Sequence, residues 1–78
     1  MKAGEILRAI MRERSIRPTD LAAILGVKNN VLSERLSQKN ISIDKMNEML
    51  AALGYKLAVL PAETKIPEKG YEIGSEDP

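Results

Sequence analysis

A single glycine divides the most regular stretch of this sequence, 18–39, into two short helical patterns. Apolar side chains recur at helical spacing on both sides of it: Leu21, Ala22 and Leu25 before it, Leu32 and Leu36 after it. The first pattern opens at Pro18, a residue that the first turn of a helix tolerates. Glycine adopts left-handed backbone angles at little cost, so Gly26 can end the first helix and turn the chain. The stretch therefore predicts two helices that meet at a tight corner.

Further apolar stripes predict one more helix on each side of this corner. The first covers Lys2–Arg14, and the last covers Ile43–Leu53, with Ser42 as its N-cap and Gly54 at its end. One core is expected from Ile6, Ile10, Leu21, Leu25, Leu32, Leu36, Met46, Leu50 and Leu53.

The segment Tyr55–Leu60 follows a different pattern. It is rich in strand-forming residues, and Tyr55, Leu57 and Val59 alternate with their neighbours, which indicates a β-strand. A single strand on a helical domain needs a partner for its backbone groups. It can pair with its copy in a second subunit, or the chain can fold back through Pro61–Lys69 onto residues 70–73. The alternative is that the segment extends the final helix over the core.

Length and composition limit the classes of function. Seventy-eight residues predict one domain, and without Trp or Phe its core must consist of Leu, Ile, Val, Ala and Met. The absence of Cys and His argues against disulfides, common zinc sites, thiol nucleophiles and histidine acid–base catalysis. No apolar run is long enough to span a membrane or to serve as a signal peptide. We therefore expect a cytoplasmic protein that is not an enzyme and carries no cofactor or metal.

The net charge of +1 hides an asymmetry along the chain. Residues 1–60 contain ten Lys/Arg and six Asp/Glu, a balance of +4, whereas residues 61–78 contain two Lys and five Asp/Glu, a balance of −3. Residues 61–78 also contain three prolines and two glycines, which predicts a flexible acidic tail. A basic domain at 1–60 with a separate acidic tail is typical of a nucleic-acid-binding protein.

The corner itself resembles a known DNA-binding family. Small, glycine and apolar residues stand where helix-turn-helix domains have them, at Ala22, Gly26, Val27, Leu32 and Leu36. From about Ala3 to Leu60 the sequence is similar to phage repressors of the Cro/CI or xenobiotic-response-element type. The resemblance implies an all-α, four- to five-helix, lambda-repressor-like domain with a C-terminal β-strand and a flexible tail. It also implies a homodimeric transcriptional regulator, expected to be a repressor, that binds double-stranded DNA sequence-specifically.

The resemblance places candidate site residues on a recognition helix at about 29–37 and around it. The base-reading positions of the family correspond to Lys28, Asn29, Asn30, Ser33, Glu34 and Ser37. Phosphate contacts are expected from Arg17, Thr19, Arg35, Lys39, Asn40 and Ser42. Dimerisation through the strand is expected to involve Tyr55, Leu57 and Val59, as in antitoxin-type repressors.

The sequence departs from the family pattern at four positions. Pro18 stands where a phosphate-binding Gln is common, and Glu34 stands where a basic residue is frequent. Lys28 replaces a common capping Ser, which leaves open that Asn29 caps the helix and turns away from the bases. Gln38 stands where the family often has a glycine, so we expect Asn40 to take the left-handed position instead.

A second hypothesis concerns protein–protein interaction. The chain would then be an antitoxin, or an accessory protein of a phage or mobile element, that binds a toxin or another protein through its C-terminal strand and its acidic tail, with Tyr71 and Ile73. The two hypotheses are compatible, because antitoxin-like repressors do both. An enzyme ranks third, since the carboxylates are scattered and no nucleophile–base pair is evident.

Overall fold

A computed structural model of the protein describes residues 1–74, and this part of the chain contains four α-helices. They are α1 (Ala3–Glu13), α2 (Pro18–Leu25), α3 (Asn29–Ser37) and α4 (Ile43–Ala52). All four were predicted in this order, with bounds that differ by at most one residue at either end. The last four residues of the predicted tail, 75–78, lie outside the described residues. Within residues 1–74, no helix combines the length and the apolar character needed to cross a membrane.

One apolar core joins the four helices. The buried side chains are Ile6, Leu7, Ile10, Met11, Leu21, Ala22, Leu32, Leu36, Met46, Met49, Leu50 and Leu53. Every residue of the predicted core is among them except Leu25, which is half-buried. The predicted apolar stripe of α4 is wrong at its first position, because Ile43 is 74% exposed. Ile43 lies in the first turn of α4, where no neighbouring helix covers it.

Three of the helices end with a residue in the left-handed conformation. The φ angles are 55° at Ser15, 71° at Gly26 and 83° at Gly54. In each case the next amide donates back to the last full turn of the helix: Ile16 to the Met11 carbonyl, Val27 to that of Ala22, and Tyr55 to that of Leu50. The apolar side chain that follows each turn packs against the core. The helix ends therefore also fix where the connecting segments begin.

The left-handed turns were predicted correctly at both glycines but not elsewhere. Ser15 was missed, since serine seldom takes a positive φ. Asn40, expected in the left-handed region, is not there, because Ser15 is the only non-glycine residue with a positive φ in the described part of the chain. The chain instead leaves α3 through Gln38 in an extended conformation.

The predicted C-terminal strand is wrong. Within residues 1–74 no strand occurs, and Tyr55–Leu60 does not extend α4 either. This segment and the residues up to Gly74 form one irregular stretch, which we call the arm (residues 55–74). The chain does fold back through Pro61–Lys69, as one of the alternatives predicted. Contacts between side chains hold it there, and not the hydrogen bonds of a β-ladder. The Tyr55 and Tyr71 ring centroids lie 6.4 Å apart, and the Tyr55 hydroxyl donates to the Lys69 carbonyl at 3.3 Å.

The arm lies against α1 and α4. The Arg14 guanidinium lies 5.1 Å from the centre of the Tyr55 ring, and the Gly74 amide donates to the Met1 carbonyl at 2.9 Å. Partial burial, together with the nearby Glu13 carboxylate, raises the pKa of Tyr71. Between the arm and the two helices runs an apolar groove of about 350 Å³, with Ile6 and Leu50 on its helical side.

Candidate nucleic-acid interface

The third helix separates apolar and polar side chains onto different faces. Leu32 is fully buried and Leu36 is 4% exposed, which fixes the rotation of α3 against the core. At 3.6 residues per turn, the side chains between and beyond them must point outward. The exposed set on this side is Asn30, Ser33, Glu34 and Ser37. These residues form a continuous polar surface of amide, hydroxyl and carboxylate groups, which we call the α3 face.

The start of α3 extends this surface. Lys28 occupies the N-cap position with an extended backbone, and no side chain caps the helix there. Asn29 is the first helical residue, so the alternative in which it caps α3 is wrong. Both side chains are exposed. All six predicted base-reading residues are therefore accessible on one end and one side of α3.

The start of α2 carries an exposed ion pair. The Arg17 amide donates to the Asp20 carboxylate at 2.9 Å, and the guanidinium donates to the same carboxylate at 3.1 and 3.2 Å. The Arg17 side-chain hydrogen bond, its amide and its positive charge hold the pKa of Asp20 below the ordinary value. Arg17 nevertheless keeps 78% of its side chain exposed, and Thr19 beside it is also exposed. The donors of this helix start remain accessible to a ligand.

The connection from α3 to α4 is stabilised by a second ion pair. Arg35 Nη1 lies 3.2 Å from Glu48 Oε1, and only 14% of the Arg35 side chain is exposed. This predicted phosphate contact therefore links α3 to α4. Lys39 and Asn40 are exposed in the turn. The Ser42 hydroxyl accepts from the Lys45 amide at 3.2 Å, which confirms Ser42 as the N-cap of α4.

The three predicted dimerisation residues differ in their surroundings. Tyr55 and Leu57 are half-buried against the core of their own chain, whereas Val59 is 99% exposed. The arm that bears them lines an apolar groove with α1 and α4. The residues of the α3 face are exposed and stay accessible.

Two basic residues near the α2 start were not among the predicted contacts. Arg8 and Arg12 of α1 border a cleft of about 350 Å³ together with Arg17. The signal in the sequence is their i,i+4 spacing, which puts both on the same side of α1. The resemblance draws attention to α2 and α3 and gives no role to either arginine.

Comparison with known families identifies this arrangement. The family model of the Cro/C1-type HTH DNA-binding domain matches residues 6–60. The chain belongs to this family. Neither the curated proteins nor the solved structures compared with the chain give a significant match.

The match covers the helix-turn-helix unit and most of its supports. It runs from the first turn of α1 to Leu60, so that α2, Gly26 and α3 form the helix-turn-helix, and α1 and α4 pack against it. This Cro/C1-type domain is a double-stranded DNA-binding unit of the kind used in transcription regulation. Residues 61–74 of the arm lie beyond the matched range.

Proposed function

We propose that this Cro/C1-type protein is a sequence-specific transcriptional repressor that binds a palindromic operator as a homodimer. The observation that supports it most is the α3 face: Leu32 and Leu36 fix the helix on the core while Asn30 and Ser33 remain exposed. A major groove is wide enough to admit a helix presented in this way. In the proposed complex, α3 enters the groove with its N-terminal half.

The chemistry of the α3 face suits base edges. An Asn amide carries one acceptor and two donors, so Asn29 or Asn30 can bind adenine through two hydrogen bonds. Lys28 would donate to guanine, and Glu34 would accept from the amino group of cytosine. A carboxylate close to phosphates is unfavourable unless it finds such a donor, so Glu34 should select cytosine at its position. Ser33 and Ser37 complete the polar surface.

The neighbouring turns supply contacts to the sugar–phosphate backbone. Arg17 and Thr19 at the start of α2 would bind on one side of the groove, and Lys39, Asn40 and Ser42 on the other. Arg35 would reach a phosphate only by leaving Glu48, so its main contribution in the complex is to hold α3 in place. Such contacts fix orientation and register and do not depend on sequence.

The proposed dimer uses the first part of the arm. No backbone hydrogen bond involves Lys56–Leu60 among residues 1–74, and Val59 is almost fully exposed. Segments with free backbone groups can pair edge to edge with a second copy. Tyr55 and Leu57 would then hold the segment on its own domain while Val59 contacts the partner copy. Two-fold symmetry predicts half-sites about one helical turn, roughly 34 Å, apart.

The proposal is tested by selecting bound duplexes from a random pool and then comparing two variants. A palindromic winning sequence is the expected result. On that duplex Asn30→Ala should cost about 1–3 kcal/mol of binding free energy, with little loss on random DNA, because a base contact is removed. Lys39→Ala should weaken binding to both DNAs similarly, because it removes a phosphate contact. Equal losses for Asn30→Ala on the two duplexes would refute its role as a base reader.

A second candidate function is binding of a protein partner, such as a toxin. It is favoured by the apolar side chains that the arm leaves in solvent: Val59, Leu60, Ile66 and Ile73. The two functions differ in salt dependence. Duplex binding should fall steeply with salt through counterion release, whereas an apolar protein contact should not.

A further inference from the structure

We infer that Arg8 and Arg12 of α1 bind the DNA backbone, so that the contact surface extends from the helix-turn-helix unit onto the first helix. The inference rests on the proposed DNA-binding mode and adds two contacts to it. Neither residue belongs to α2, α3 or their turns, and neither was among the contacts expected from the family resemblance. The ligand chemistry is that of consecutive phosphates on one strand.

Two adjoining clefts place these arginines between Arg17 and Lys39, two of the phosphate contacts proposed above. The first, about 350 Å³ in volume, is bordered by Arg8, Arg12 and Arg17. The second, about 420 Å³, is bordered by Arg8 and by Ser37 and Lys39 at the end of α3. Arg8 is thus shared by both. The result is a continuous positive surface, the basic track, formed by Arg12, Arg17, Arg8 and Lys39.

A close approach of two helices explains why Arg8 lies beside the end of α3. A Cβ atom added at Gly4 would lie 2.8 Å from the Leu36 carbonyl oxygen, a separation that side chains essentially never show. Only glycine therefore lets α1 come this near to α3. Gly4 and Arg8 are one helical turn apart on the same side of α1, so the contact at Gly4 positions Arg8 next to Ser37 and Lys39.

The charge on the basic track is largely uncompensated. Among residues 1–74 the ion pairs are Arg17 with Asp20 and Arg35 with Glu48, so neither Arg8 nor Arg12 has an acidic partner there. Glu5 also borders the second cleft, with its carboxylate accepting from the Lys2 amide at 2.9 Å, and the Lys2 side chain adds a positive charge to the same cleft.

Two roles are open to such arginines. A guanidinium presents parallel donors that match two phosphate oxygens, which makes arginine well suited to this ligand. The alternative role is structural: a positive charge near the last carbonyls of α3 would complement its helix dipole. The structural role changes stability alone, whereas the phosphate role changes the salt dependence of DNA binding. The experiment must therefore measure both quantities.

The test uses Arg8→Gln, Arg12→Gln and the double variant of the full chain. Each protein is titrated with the selected operator and with a random duplex between about 50 and 200 mM salt. Removing one phosphate contact should reduce the slope of log K against log salt by about 0.9, and by twice that in a dimer. At 0.15 M salt, relative to 1 M, a slope change of 0.9 corresponds to about a 5-fold loss of affinity for each lost contact, equal on both duplexes. A dimer loses two contacts with each substitution, so its affinity should fall about 30-fold.

Arg14→Gln is the matched control. Arg14 lies just after the same helix and carries the same charge, but it packs over Tyr55 on the arm side of α1. It should leave the slope unchanged. Thermal melting of every variant shows whether the fold is kept.

Two results would overturn the inference. They are an unchanged slope in the double variant, whether or not its melting temperature falls, and an equal change of slope in Arg14→Gln. A wild-type chain that binds no duplex would contradict the proposed function itself, and this is seen before any variant is made.

Discussion

The helical body, residues 3–52, and the arm, residues 55–74, bury their apolar side chains to different extents. In the body Leu7, Leu21 and Leu32 are completely buried. In the arm the best-covered apolar side chains, among them Tyr55 and Tyr71, are only half-buried, and Val59 is 99% exposed. The body encloses its apolar surface from several sides, whereas the arm lies on a surface that the body provides.

The difference follows from how each region satisfies its backbone. A helix pairs its own amides and carbonyls, so it needs only an apolar stripe and a second helix to pack against. An extended segment needs a partner for its backbone as well as for its side chains. The side chains of the arm find a partner on α1 and α4, but among residues 1–74 the backbone of Lys56–Leu60 has no hydrogen-bond partner. The body therefore pairs its own backbone, whereas the arm relies on the surface that the body provides.

The largest expected effect lies in the body. Leu32→Ala removes a fully buried side chain from the helix that carries the α3 face and should lower the free energy of unfolding by about 2–5 kcal/mol. Val59→Ala, at a position in the arm that is almost fully exposed within one copy, should change the unfolding free energy of the monomer by no more than about 0.5 kcal/mol. Urea denaturation followed by circular dichroism measures both. Similar losses at the two positions would contradict the division into body and arm.

The body could be predicted because its signals are local. Apolar residues at helical spacing identified the four helices, and two glycines identified two of the three left-handed ends. The third was missed because Ser15 takes a conformation that is costly for a side chain, and the sequence carries no sign of it. The approach of Gly4 to Leu36 was also out of reach, since it depends on how two helices pack and not on either one.

The arm could not be predicted because the alternation of apolar residues shows which side chains share a side, but not what holds the segment in place. It put Tyr55, Leu57 and Val59 on one side of a strand, but only Tyr55 and Leu57 are half-buried, and Val59 is 99% exposed. What holds the segment is a contact with Tyr71, sixteen residues after Tyr55, which no local pattern reveals. A buried side chain every second residue is compatible with a strand and with an irregular segment lying on a helical surface.

The candidate interface likewise has one part that the sequence predicts and one part that it does not. The exposure of Asn30 and Ser33 follows from the positions of Leu32 and Leu36 on a helix, and rotation alone predicts it. Rotation does not predict the position of the Arg35 side chain, because its partner Glu48 lies on another helix, thirteen residues away. Helical rotation shows which side chains point outward, but not which of them already have a partner.

A smaller effect is expected from releasing the arm. Tyr55→Ala removes the contact with the Tyr71 ring and the stacking of Arg14. Together these two interactions should contribute about 1–2.5 kcal/mol to the free energy that holds the arm on the body. Hydrogen exchange should accelerate at the Gly74 amide, which donates to Met1, while amides in the middle of α2 stay protected. Tyr55→Phe is the control, because it keeps the ring and removes only the hydrogen bond to Lys69. Accelerated exchange throughout α2 would mean that the arm is part of the body.

The smallest effect is expected from Asp20→Asn, which asks whether surface contacts add measurably to the stability of the body. Both partners of the Arg17–Asp20 pair are exposed, so solvent and salt screen it strongly. The pKa of Asp20 is lowered in the folded state, so its stabilisation is present above the ordinary value of about 3.9 and is lost as the pH falls through the folded value. Wild type should melt slightly above the variant at pH 6 and at the same temperature near pH 2. An equal difference in melting temperature at both pH values would show that the negative charge is not the cause, and that asparagine simply fits the helix start less well. A difference that persists in 1 M salt would show that screening is weaker than the exposure implies. Either result would mean that surface contacts contribute part of the stability that we attribute to the apolar core of the body.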